Sequence, residues 1–141
     1  MKKIITLTFL ALISSTGLFA QTDVDSKNSV TEEMPVFPGC EDVALDERNA
    51  CFARHMMMHL ARAFEYPDDA RKEKIQGKVL LSYVVNKKGN ITDVQVIKSV
   101  HPSIDAEAVR ALLSAPQVKP ATMNGEPVRM RFIIPINCVL Q

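Results

Sequence analysis

Apolar residues recur with the period of an α-helix in two stretches of the chain. Between Cys51 and Phe64, large apolar side chains are spaced by four, at Phe52, Met56, Leu60 and Phe64. After Pro102, Ser103 suits an N-cap, and a second apolar stripe runs up to Pro116, at Ile104, Ala108, Ala111, Leu112 and Ala115. Each stripe predicts a helix with one buried face, and proline marks the end of the second.

A shorter helix is predicted after Tyr66. Pro67 suits a first helical position, and the acidic pair Asp68-Asp69 suits the positive end of the helix dipole. Gly77 is then the expected exit from this helix.

Strand-like alternation appears three times. Lys78 to Val85 and Ile91 to Ser99 flank a turn that contains glycine, which predicts a β-hairpin. Val128 to Asn137 alternates as a third strand, and Pro135 within it lacks the backbone N–H of a central strand. We therefore expect an α+β fold: a three-stranded antiparallel sheet, made of a hairpin plus an open edge strand. Helices cover one face, and an extra helix precedes this unit.

The first twenty residues have the order of a signal peptide. Lys2 and Lys3 precede an apolar run from Ile4 to Ile13, and small residues lead up to Ala20. The run is shorter than the ~20 apolar residues of a membrane-spanning helix. We expect cleavage after Ala20 and a periplasmic protein; an uncleaved signal would anchor the chain in the inner membrane and supply its membrane contact.

The remaining chain divides by composition into three parts. Residues 21–33 are polar and predict a disordered leader. Residues 34–65 form an N-terminal extension with a helix, and residues 66–141 form the main domain. Removing 20 of the 141 residues leaves 121, which fits one domain with a real core.

Export places the cysteines where disulfides persist. We expect Cys40 and Cys51 to pair across a short loop; the alternative is two buried thiols. Cys138 is then left over, and it is buried, pairs between molecules, or displaces one of the other two.

Cys51, His55 and His59 are spaced by four on one helix face, which raises the question of a metal site. Cys51 and His59 are separated by a rise of ~12 Å, too far for both to bind one ion. We therefore expect no metal site and interpret the two imidazoles as part of a solvated helix face.

Charge and motif content argue against two classes of function. The chain has 17 basic and 16 acidic residues and a formal net charge of +1, so nucleic acid is not an expected partner. Nucleophile-elbow, His-Glu-x-x-His and phosphate-binding glycine motifs are absent from the sequence. We expect no catalytic residues, no cofactor and no enzyme.

The residues that punctuate these elements form an ordered series. The series is Tyr66-Pro67, Ala70-Arg71, Gly77-Lys78-Val79, Val84-Val85, Gly89, Ile91-Thr92-Asp93-Val94, Ile104-Asp105, Lys119-Pro120, Asn124-Gly125, Pro127-Val128 and Ile134-Pro135-Ile136. In this order they resemble the C-terminal domain of the TonB energy-transducer family, over about half of the chain.

The resemblance implies a module of TonB-dependent transport that binds an extended segment, the TonB box, of an outer-membrane transporter or a similar periplasmic protein. The segment would add to the third strand by β-augmentation. The candidate partner-binding residues are Arg129, Arg131, Phe132, Ile133, Ile134, Pro135, Ile136 and Asn137. Of these, Arg129, Arg131, Ile133 and Asn137 are expected to project from the wetter face beside the segment. The same edge would also suit a homodimer.

The chain departs from the family pattern in three ways. Its apolar N-terminal run looks cleavable, and residues 21–34 reach at most ~50 Å, whereas a transducer has a retained membrane helix and a long spacer. Val118 stands where an aromatic commonly precedes the Lys-Pro pair. An alternative function is therefore a soluble periplasmic interaction or regulatory module without a motor. Intact-mass analysis of the exported chain distinguishes the two.

Overall fold

The computed structural model describes residues 30–141. The predicted signal peptide and residues 21–29 of the predicted leader lie outside these residues. The elements are β1 (Glu32–Glu33), α1 (Arg48–Ala63), α2 (Asp68–Lys72), β2 (Gly77–Val85), β3 (Ile91–Lys98), α3 (Pro102–Leu113), β4 (Ala121–Met123), β5 (Glu126–Val128) and β6 (Met130–Cys138).

The main sheet has the order β3-β2-β6, and both pairings are antiparallel. Its buried face is built from alternate residues of the central and edge strands, namely Val79, Leu81, Tyr83, Val85, Ile134 and Ile136. Met56 and Leu60 of α1, with Ile104 and Leu112 of α3, belong to the same core. The predicted α+β fold is confirmed: a hairpin plus an edge strand packs against helices, and an extra helix precedes them.

The two strands beside β2 differ in regularity. The β2–β6 register runs without interruption from Gly77 opposite Cys138 to Val85 opposite Met130. The β2–β3 register shifts twice, and Asp93 lies at one shift with a left-handed φ of 50°. A bulge of this kind twists a strand and disrupts its ladder, so β6 is the straighter of the two edges.

A second, small sheet of order β1-β4-β5 was not predicted from the alternation pattern. Glu32–Glu33 pair with Thr122 and Met123, so the prediction of a disordered leader through Glu33 is wrong at these two residues. Val128 belongs to β5, and the long third strand begins at Met130 instead. Strands of two or three residues are too short for their alternation to be distinguished from a loop.

Two predicted helix ends also move. The second helix ends at Lys72 and not at Gly77. Lys74, and not a glycine, takes the left-handed conformation after the helix, with a φ of 54°. Gly77 is the first residue of β2. The third helix begins at Pro102 rather than after a Ser103 cap. His101 is its N-cap, and its imidazole Nδ1 accepts the Ser103 N–H at 3.3 Å.

A disulfide joins Cys40 to Cys51, with their Cα atoms 6.0 Å apart. It ties residues 34–40, which we call the entry segment, to the first turns of α1. The remaining thiol, Cys138, is buried at the end of β6, and burial raises its pKa. Of the three outcomes expected for Cys138, the structure has the first, a buried thiol.

Candidate functional site

The outer edge of β6 is the feature of the sheet best suited to accept another strand. Within the described residues, β3 and β6 are the two outer strands of the main sheet. Bulges and charged side chains protect an edge from further pairing, and β3 has both, including Asp93 and Lys98. By contrast, β6 is nine residues long and regularly paired to β2 on its inner side.

Pro135 indicates which main-chain groups of β6 face outward. It lies opposite Leu80 of β2, and a proline inside a strand is tolerated where its nitrogen faces away from the ladder. Alternate residues of a strand direct their N–H and C=O groups to the same side. Ile133 and Asn137 therefore share the outward direction of Pro135 and offer donors and acceptors to a new strand.

An apolar groove runs along this edge, between α1 and β6. We call it the edge groove. Its upper half has a volume of about 440 Å³ and lies between residues 49–57 of α1 and residues 132–135 of β6. Its lower half, of about 430 Å³, lies between residues 57–64 and residues 136–139. Met57 lines both halves, so the groove follows most of the length of β6.

Stacked aromatic rings form the floor of the upper half. Phe132 stacks on Phe52 at 5.8 Å and on Tyr83 at 5.5 Å, with interplanar angles of 21° and 24°. Burial raises the pKa of Tyr83 to about 12, so its phenol is neutral at ordinary pH. The contacts between α1, β2 and β6 thus give the groove a packed, uncharged floor.

The charge of the lining differs between the two halves. Among the described residues, no charged side chain lines the upper half, and the polar groups of its lining are the Asn49 amide and the Tyr83 phenol. Of the described residues that line the lower half, Arg71 alone has a charged side chain. A bound segment that placed a charge in the upper half would have to desolvate it without a partner, which is costly.

The predicted site residues fall into four groups, of which the two arginines are the last. Phe132 is part of the groove floor, and Ile134 and Ile136 are buried below the edge. Ile133, Pro135 and Asn137 are exposed on the strand, and the Ile133 side chain is 62% exposed.

The two arginines lie elsewhere. The Arg129 guanidinium donates to Asp93 of β3 at 3.0 Å, and that of Arg131 donates to Ser82 of β2 at 3.3 Å. Both therefore lie on the face of the sheet that helices do not cover, and both reach inward across it. Arg129 in particular is directed away from the outer edge of β6, contrary to the expectation that it stands beside an incoming segment.

The wall opposite β6 was not identified from the sequence. Ala53 and Met57 of α1, with Met34 and Pro35 of the entry segment, line the upper half. Met57 and Ala53 adjoin the apolar stripe of the helix, which was a weak signal that this side of α1 is not fully solvated.

Among residues 30–141, no helix has both the length and the apolar character needed to cross a bilayer.

Comparison with known proteins gives one family. The family model described as the Gram-negative bacterial TonB protein C-terminal matches residues 62–140. No curated protein matches. The solution NMR structure of a Helicobacter pylori TonB C-terminal domain is similar with a TM-score of 0.51 and 22% identity, over 72% of this chain and 87% of that one.

Two further solution structures of TonB C-terminal domains are similar to parts of the chain. A shorter form of the Helicobacter pylori domain has a TM-score of 0.45 and 26% identity, over 60% of this chain and 91% of that one. The Pseudomonas aeruginosa TonB C-terminal domain has a TM-score of 0.44 and 25% identity, over 55% of this chain and 78% of that one.

Proposed function

Because the chain belongs to the family of Gram-negative TonB C-terminal domains, we propose that its edge groove binds an extended segment of an outer-membrane transporter by strand addition to β6. The family takes part in TonB-dependent transport, and its domain is one of energy transduction and interaction rather than catalysis. The proposed location is the periplasm, where such a segment is accessible.

The observation that carries this proposal is the position of a regular free edge directly beside an apolar groove. β6 pairs with β2 over nine uninterrupted positions, and within the described residues its other side has no strand. Main-chain hydrogen bonds along that side would supply affinity, each about 1 kcal/mol net. The groove would supply selectivity.

The geometry of the edge groove supports a proposal for the chemistry of the segment. In a strand added to β6, alternate side chains point to opposite faces of the sheet. One set would enter the edge groove, over Phe52 and Phe132, and the other would lie on the open face near Ile133. We propose that the first set is apolar and that a charge, if present, lies at the lower end beside Arg71 and is acidic.

Photo-crosslinking in cells tests the proposal. A photoreactive residue in place of Ile133, on the free edge of β6, is expected to crosslink to an outer-membrane transporter. The matched control is Ile97 on the bulged β3 edge; these isoleucines are 62% and 52% exposed. Transporter adducts from position 97 and not from position 133 would contradict the proposal, and adducts between two copies of the chain at position 133 would favour a homodimer.

A further inference from the structure

Cys40, Cys51 and His55 meet at the beginning of α1. One donor atom from each residue, two sulfurs and an imidazole nitrogen, lies within 4.8 Å of the others. Both cysteines are buried, and His55 is half-buried. The spacing of Cys51, His55 and His59 suggested a different set of three, but the fold replaces the distant His59 with Cys40 from the entry segment.

The local backbone explains how this cluster forms. Cys51 and His55 are one helical turn apart, so their side chains share a face of α1. Cys40 follows a tight turn in which Gly39 has a φ of 99°. A Cβ at Gly39 would lie only 3.2 Å from His55 Cε1, so a glycine allows the turn to approach the ring. Glu41 holds the turn by accepting the Gly39 N–H at 2.8 Å.

The two histidines of α1 have different roles. His59 Nε2 lies 3.1 Å from both the Ala111 carbonyl oxygen and Ser114 Oγ, so it joins α1 to α3. His55 makes no hydrogen bond to any group between residues 30 and 141, and its ring packs 5.6 Å from the ring of Phe37. Its nitrogens are therefore available to a ligand, next to two sulfur atoms.

We propose that reduction of the Cys40–Cys51 disulfide creates a zinc site formed by Cys40 Sγ, Cys51 Sγ and His55. Two thiolates and an imidazole are ligands that zinc prefers, and a fourth position would remain open to water. At tetrahedral zinc these atoms stand roughly 3.5–3.8 Å apart, a spacing within the 4.8 Å that encloses the observed cluster, and the two sulfurs can separate to it once their bond is broken. Two thiolates also balance the two positive charges of Zn²⁺. The buried complex therefore has no net charge, which lowers the cost of removing it from water.

A dithiol reductant supplies the electrons that break the Cys40–Cys51 bond. The dithiol transfers two electrons and two protons to the protein disulfide, giving two cysteine thiols and its own disulfide. Zn²⁺ then replaces the two thiol protons, which leave to solvent. The disulfide and the zinc complex exclude each other, so bound zinc also protects the cysteines from reoxidation.

Zinc titration of the full chain tests this site. After reduction with a phosphine, the protein should bind one zinc per chain, counted by elemental mass spectrometry and titrated against a chromophoric chelator. The oxidised protein should bind none at this site. His55→Gln should weaken binding by the reduced protein at least about tenfold, whereas His59→Gln and Cys138→Ser should leave it unchanged.

Three zinc-binding results would overturn the proposal. They are equal zinc affinity of the reduced wild type and His55→Gln, equal binding before and after reduction, and absence of binding by the reduced chain. Circular dichroism is recorded on the same samples. A reduced chain that loses its fold would also overturn the proposal, because the fold brings Cys40 to His55.

Discussion

Replacing Gly89 with alanine is expected to lower the free energy of unfolding by roughly 3–5 kcal/mol. Gly89 lies in the β2–β3 turn with a φ of 83°, and a Cβ there would lie 1.7 Å from the Val118 carbonyl oxygen. The Val118 N–H also donates to the Gly89 carbonyl at 2.9 Å. The alanine therefore forces the hairpin turn away from the segment before β4. Equilibrium unfolding in urea measures the loss.

Gly125 is the matched control for this substitution. It has a similar φ of 80°, but a Cβ there would have no atom of residues 30–141 within 4 Å. Gly125→Ala should therefore cost only the backbone strain, roughly 1 kcal/mol. The difference between the two variants isolates the collision with Val118. Equal losses of stability would contradict the close approach of the hairpin turn to this segment.

Replacing Met57 with glutamate is expected to weaken binding of a TonB-box-like peptide about tenfold, or ~1.4 kcal/mol. Met57 lines both halves of the edge groove. A carboxylate there must either lose water without a partner or displace the peptide from the groove. Isothermal titration calorimetry measures the dissociation constant.

Met58 is the control that α1 itself offers. Met57 and Met58 are each 41% exposed, but Met58 does not line the edge groove. Met58→Glu adds the same charge to the same helix and should leave the dissociation constant unchanged. If both variants bound the peptide as tightly as the wild type, the groove would have no part in recognition.

The longer helices and strands could be predicted because their patterns are local. The alternation that ends at Asn137 identifies the buried and exposed sides of β6, and Pro135 identifies it as an edge. The four-residue spacing of Phe52, Met56 and Leu60 identifies the buried side of α1. Each of these inferences uses neighbouring residues on a single element.

What could not be predicted depends on contacts between distant elements. Nothing in the α1 sequence specifies that this helix lies opposite β6, so Met57 could not be recognised as part of a groove. Asp93 fits a regular alternation, yet it takes a left-handed conformation and pairs with Arg129. Val118, which stands where the family pattern has an aromatic, is buried in the core through contacts that its own segment does not specify.

The central claim is that β6 forms the binding edge, and amide chemical-shift mapping tests it most directly. A TonB-box-like peptide is titrated into isotopically labelled protein, and backbone amide shifts are followed along both outer strands. The proposal predicts that signals of residues 130–138 in β6 change first, together with those of residues 49–63 in α1, while those of β3 stay in place. Shifts confined to β3, or no shifts in β6 with several such peptides, would contradict it.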